Sequence, residues 1–239
     1  MKYDKWNKAY NELQSSPKKC LQVIVDKMKK GQISVLVGAG FSKNANKSFP
    51  DWTELLVDLY LRVHPEEQNK SPEYIKQIIR LQGESAFAQK YLDLGNSRES
   101  LDLYIEHKIE PIDKGNKWLY TTEQLLKLHW NDVITTNWDT VLEQANYNGF
   151  LNYEEVKTAK QLKNANHKRI IKINGTLRTK DEQEKLVYEF DSCYDHLYII
   201  ATDDFKSYNQ KHEAFSNFMK VKFLEDSFCL IGFSGNDPN

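Results

Sequence analysis

Three phrases in this chain place small and polar residues directly after apolar runs, and those residues are the ones able to do chemistry. The first is Ile33-Ser34-Val35-Leu36-Val37, which breaks into Gly38-Ala39-Gly40-Phe41-Ser42. Glycine tolerates the backbone angles of a tight turn and lets N–H groups approach a pyrophosphate directly. A first parallel strand meets a dinucleotide in this way. The second phrase is Val133-Ile134-Thr135-Thr136-Asn137-Trp138-Asp139, and the third is Cys229-Leu230-Ile231-Gly232-Phe233-Ser234-Gly235-Asn236-Asp237-Pro238. Alone, the glycine turn is a weak signal: such turns also occur where nothing binds, and this one lacks the third glycine of G-x-G-x-x-G. Three strands ending in Gly, Ser, Thr, Asn and Asp outline a crevice of the kind in which open α/β sheets hold ligands.

The elements that must position these phrases alternate along the chain. Residues 11–30 read as a helix, with Leu21, Val23, Ile24 and Met28 at helical spacing before Gly31. Leu55, Leu56, Leu59 and Tyr60 form an apolar stripe behind Asp51, a suitable N-cap. The region of about 65–130 is charge-rich and helical in pattern and reads as an insertion flanking the crevice or facing a partner. Strands are expected at 132–135, 169–173, 198–201 and 228–232. Helices are expected after Asp139, from Thr202, and along Phe215, Phe218, Met219 and Phe223. This alternation predicts an α/β fold, a Rossmann-like doubly wound parallel sheet with a helical insertion, formed by residues 1–239 as one domain.

Composition narrows the function classes. With 239 residues the chain can bury a real core, and a formal charge of −1 gives no electrostatic case for nucleic acid. The lysines and arginines between Lys157 and Lys180 read as a solvated face. Cys20, Cys193 and Cys229 form no close pair, and the histidines show no metal-ligand spacing, so no metal is expected. The polar start and the lack of a long apolar run predict a soluble, cytoplasmic protein without a membrane segment. The chain stops at Asn239, just inside the loop after its last strand, so it is expected to be the N-terminal part of a longer polypeptide.

Taken in order, Gly38-Ala39-Gly40-Phe41-Ser42, Phe49-Pro50-Asp51-Trp52, Thr135-Thr136-Asn137-Trp138-Asp139, Lys172-Ile173-Asn174-Gly175 and the phrase from Gly232 to Pro238 resemble the sirtuin superfamily. The nearest likeness is to its zinc-less branch, the bacterial sirtuin-like NAD-hydrolysing domains of antiphage defence. The resemblance implies NAD as substrate, cleaved to nicotinamide and ADP-ribose so that NAD is depleted. It implies a homo-oligomer joined to C-terminal sensor domains or a partner subunit that detects phage. Gly38, Ala39, Gly40, Phe41 and Ser42 would hold the pyrophosphate, and Pro50, Asp51 and Trp52 would close over the nicotinamide ribose. Asn137, beside Thr136, would position the ribose and the attacking water. Asp139 would contact the carboxamide, and Gly232, Ser234 and Asp237 the adenosine end. Read singly, Asp139 is equally an N-cap worth about 1 kcal/mol, Thr135 and Thr136 can simply end a strand, and Trp52 and Trp138 are wall or core residues.

The pattern breaks at Asn174, where the family carries the histidine that serves as base. Asn matches that reach in hydrogen bonding but cannot take up a proton near neutral pH. Asn174 therefore reads as an inactivating replacement, as a natural variant in a hydrolase that relies on Asn137, Asp139 and water, or as the mark of a silent NAD- or ADP-ribose-binding and oligomerisation module. Protein deacylation is the weaker enzymatic alternative, because the cysteines supply no counterpart to the zinc ribbon of deacylating sirtuins.

Overall fold

The computed structural model describes residues 11, 15–47, 49–109, 119–165, 168–177 and 198–233. The first strand is β1 (Ile33–Val37), the apolar run ahead of the glycine turn. Alternate residues of β1 feed two hydrophobic clusters. Ile33, Val35 and Val37 join the larger and Leu36 packs against the smaller, so both faces of the sheet are covered. Five strands run in the order β3 (Glu154–Val156), β4 (Arg169–Lys172), β2 (Val133–Thr135), β1, β5 (Ser227–Ile231), every pair parallel. Because β2 flanks β1 on one side and β5 on the other, the chain reverses its progress across the sheet at β1. That is where a doubly wound sheet opens its crevice.

Helix α1 (Ser15–Lys29) ends before Gly31, whose φ of +61° turns the chain into β1. The long connection from β1 to β2 holds α2 (Ala39–Ser42), α3 (Trp52–Val63), a 3-10 turn (Pro65–Glu67), α4 (Pro72–Gln82), α5 (Glu84–Asp93), α6 (Arg98–Lys108) and α7 (Tyr120–Leu126). Asp51, Ser71 and Ser97 cap α3, α4 and α6 by accepting the N–H three residues on. The expected stripe of α3 is inside: Leu56 and Leu59 are fully buried, each stabilising the fold by about 2 kcal/mol. Tyr104 of α6 donates to the Leu55 carbonyl at 2.8 Å, docking the later helices onto α3. After β2 come α8 (Val141–Gly149), β3, α9 (Ala159–Asn164) and β4, then α10 (Thr202–Lys211), α11 (Glu213–Glu225) and β5.

Three features differ from the sequence reading. Residues 198–201 form no strand of the parallel sheet but a single antiparallel bridge, Tyr198 to Gly175. The N–H groups of Ile200 and Ala201 are taken by Asp204 Oδ2, at 2.9 Å each, as α10 begins, and no ladder remains for them to join. Edge strand β3 gave no apolar run, since only Val156 of its three residues is buried. Phe223, expected on the buried face of α11, is 60% exposed and packs its ring on Phe228 at 4.7 Å.

Candidate functional site

Parallel register sets the carboxyl ends of the strands side by side. Val37 pairs with Thr135 and Ile231, and Thr135 with Lys172, so the loops beginning at Gly38, Thr136, Ile173 and Gly232 leave one edge of the sheet together. At that edge lies a cavity of about 720 Å³ including its open mouth. Nine of the expected residues line it: Ala39, Ser42, Pro50, Asp51, Trp52, Thr136, Asn137, Asp139 and Asn174. Gly38, Gly40, Phe41 and Gly232 are not among its lining residues, and Ser234 and Asp237 lie outside the described residues.

Long-range hydrogen bonds tie the loops that carry the polar lining residues to one another. Thr135 Oγ1 donates to the Val37 carbonyl at 2.8 Å and accepts the Asn137 N–H at 3.0 Å, which ties the loop after β2 to β1. Asn137 Nδ2 donates to Ser42 Oγ at 2.9 Å, leaving Oδ1 as the acceptor of that side chain. Asp139 stands one residue before Thr140, the N-cap of α8, and its Oδ1 accepts the Val141 N–H at 3.0 Å, so a bond to the helix start and a place in the cavity wall coexist. The Asn174 carbonyl accepts from Trp138 Nε1 and the Ile199 N–H, both at 3.0 Å, and the adjoining Ile173 carbonyl accepts from Tyr208 Oη at 2.8 Å. Burial raises the pKa of the Tyr208 phenol well above its usual value, which keeps it a donor. Asn137, Asp139 and Asn174 are only 7%, 8% and 9% exposed, so a ligand there would meet them largely shielded from water.

At the mouth, Asp51 and Glu54 form a capping box, with 2.8 Å bonds in both directions. Burial opposes ionisation of Glu54. The Asp51 N–H and the ammonium groups of Lys76 and Lys43 outweigh it and hold its carboxyl at about 2.

The glycines have a local explanation. The Gly38 N–H bonds the Ile231 carbonyl at 2.8 Å, and the Gly40 N–H bonds the Gly232 carbonyl at 2.9 Å. A Cβ on Gly232 would lie 2.3 Å from the Phe41 nitrogen, and one on Gly38 or Gly40 within 2.9 Å of the Gly232 oxygen. The loops after β1 and β5 thus touch backbone to backbone, and only glycine allows it.

Sequence reasoning missed much of the wall. Phe49, Leu55, Ile109, Ile199 and Phe205 line the cavity with Trp52 and Trp138, and Ile109 comes from within the helical insertion, directly after α6. Arg98 on α6 reaches Asp204 Oδ2 at 2.7 Å, fixing the start of α10 next to Phe205. Only their apolar character signalled them, and that alone does not say which apolar residue faces a cavity. A second compartment of about 820 Å³, lined by Ile173, Tyr208 and Met219 from the other hydrophobic cluster, shares Thr136, Asn174 and Phe205 with the first. Among the described lining residues of the first cavity, the titratable side chains are Asp51 and Asp139, and none is an imidazole. Aromatic walls with two carboxylates suit a flat ring bearing positive charge.

Comparison with known proteins bears out the resemblance. Residues 131–239 match the SIR2-like domain. Defense-associated sirtuin 2 of Bacillus subtilis is 25% identical over 244 residues, covering 99% of this chain and 21% of that protein. The NAD(+) hydrolase ThsA of Acinetobacter baumannii (strain 532279) is 25% identical over 218 residues, covering 90% of this chain and 39% of that protein. The chain therefore spans about a fifth to two fifths of the length of these relatives.

Proposed function

We propose that this chain, carrying a SIR2-like domain, is an NAD-hydrolysing domain that releases nicotinamide and leaves ADP-ribose, acting in antiphage defence by NAD depletion. The observation that carries this reading is the convergence of Asn137, Asp139 and Asn174 with Ser42 and the Pro50 to Trp52 loop on one largely buried cavity. NAD fits the donor set. A nicotinamide ring, positively charged until the bond breaks, would sit among Trp52, Trp138 and Phe205 with Asp139 against its carboxamide. Cleavage sends the bonding pair to the ring nitrogen and leaves cationic character on the ribose carbon. Asn137 Oδ1 offers a dipole of the right sign to that carbon and to the attacking water, whose proton passes to solvent. The pyrophosphate would lie over Ala39 and Ser42, and the adenosine end toward Gly232, Ser234 and Asp237. In this reading the domain works within a larger oligomeric protein whose other parts sense phage.

A second reading is favoured by Asn174 itself, since neither it nor any other described lining residue is an imidazole: a silent NAD- or ADP-ribose-binding module that supports assembly. One experiment separates the two. Nicotinamide release from NAD is measured for this protein, for Asn174→His, and for Asn174→His with Asn137→Ala. The hydrolase reading expects Asn174→His to gain about 100-fold or more, the usual contribution of a positioned general base, and expects the second substitution to abolish the gain. NAD binding without release from Asn174→His would establish the binding module instead.

A further inference from the structure

Lys172 ends β4, paired in register with Thr135 and two residues before Asn174. Its side chain is 2% exposed and does not line the cavity. The ammonium forms a 3.1 Å ion pair with Glu143 Oε1 on α8 and donates to the backbone carbonyl of Asp139. Burying such a pair removes two charges from water, and apolar residues of similar size would fill the space as well or better. Packing alone therefore does not account for the lysine; what it holds does. Asp139 is pinned twice, at its carbonyl by Lys172 and at Oδ1 by the Val141 N–H, which leaves its second carboxylate oxygen directed by both anchors.

We propose that Lys172 is a positioning residue: by gripping the Asp139 carbonyl from β4, it fixes the Asp139 carboxylate against the nicotinamide carboxamide and locks the loop after β2 to the end of β4, two residues ahead of Asn174. The proposal rests on the reading of the cavity as a nicotinamide site. Glu143 is the counter-ion that makes a charged anchor tolerable in the interior, and its contribution is to stability.

The test compares NAD with ADP-ribose, which lacks the nicotinamide, by calorimetric binding to the whole chain. The variants are Lys172→Met with Glu143→Leu, the single Lys172→Met, and Asp139→Ala as reference. Replacing both members of the pair leaves no unpaired buried charge, so the double variant should melt close to the parent. ADP-ribose affinity should stay within about twofold, while the ratio of NAD to ADP-ribose affinity falls about tenfold, the loss expected for one hydrogen bond to a charged group, as it should for Asp139→Ala. The single variant, though less stable, should show the same fall. A preserved ratio, or an equal weakening of both ligands, overturns the proposal and makes Lys172 purely structural. If the parent binds neither ligand, it is the nicotinamide-site reading that fails, an outcome distinct from either of these.

Discussion

Gly232→Ala tests whether the glycine turn is an inter-loop contact as much as a phosphate cradle. Two costs add. The φ of +78° at Gly232 is strained for alanine by about 1–2 kcal/mol. The new Cβ would also lie 2.3 Å from the Phe41 nitrogen and 2.8 Å from the Gly38 oxygen, both backbone atoms that cannot swing away. The loops must therefore part, breaking the bonds from Gly38 to Ile231 and from Gly40 to Gly232 at about 1 kcal/mol each. The total is about 3–4 kcal/mol. Gly31→Ala is the matched control, because Gly31 has a similar φ of +61° but nothing within 4 Å of its missing Cβ. It should cost only the strain, about 1–2 kcal/mol. Urea unfolding of the parent and both variants gives the two numbers, and the gap between them isolates the contact. NAD affinity should fall for Gly232→Ala and hold for Gly31→Ala. A gap below about 1 kcal/mol would refute the reasoning, since the loops would then have room that these distances deny.

Two further expectations follow from charges. Because the Glu54 carboxyl is held at about 2 against an ordinary 4.5, its ionised form stabilises the fold above about pH 4.5, and this contribution is lost as pH falls toward 2. Melting curves of the parent and Glu54→Gln should differ most above pH 4.5 and converge toward pH 2, and a pH-independent difference would contradict the assignment. At the far end of the sheet, buried Asp132 pairs with Arg169 at 2.7 Å and Lys222 at 2.8 Å, joining β2, β4 and α11. Asp132→Asn should destabilise by about 3 kcal/mol in chemical unfolding, because two cations lose their shared partner, yet leave ligand affinity per folded molecule unchanged.

The parts of this architecture legible in sequence were those governed by local rules. The apolar run of β1 ending in glycine, the cap at Asp51 and the stripe of α3 each follow from residue type and spacing, and the structure contains all three. What local rules could not supply was set by contacts far apart in the chain. Residues 198–201 read as a strand by apolarity, but Asp204 intercepts their N–H groups and turns them into a helix entry, itself gripped by Arg98 from the insertion. β3 hides in the charged Glu154-Glu155-Val156 because an edge strand needs only one buried side chain. Ile109 lines the cavity for no reason visible in its own neighbourhood, and the glycines of the turn make sense only beside Gly232, nearly two hundred residues away in the chain.

The same long-range bonds explain why substitution at position 174 reports on chemistry rather than folding. The loop is fixed through backbone carbonyls, that of Asn174 by Trp138 and Ile199 and that of Ile173 by Tyr208. Among the described residues, no hydrogen bond holding it runs through the Asn174 side chain, which lines both compartments. Exchanging that amide for an imidazole therefore breaks no bond that shapes the site, and it adds only a group able to accept a proton. Asn137 is the opposite case. Its side chain joins the loops after β1 and β2 through Ser42, so Asn137→Ala removes a chemical group and a strut together. A loss on Asn137→Ala alone is thus ambiguous, whereas a gain on Asn174→His is not, and it is the gain that identifies the reaction.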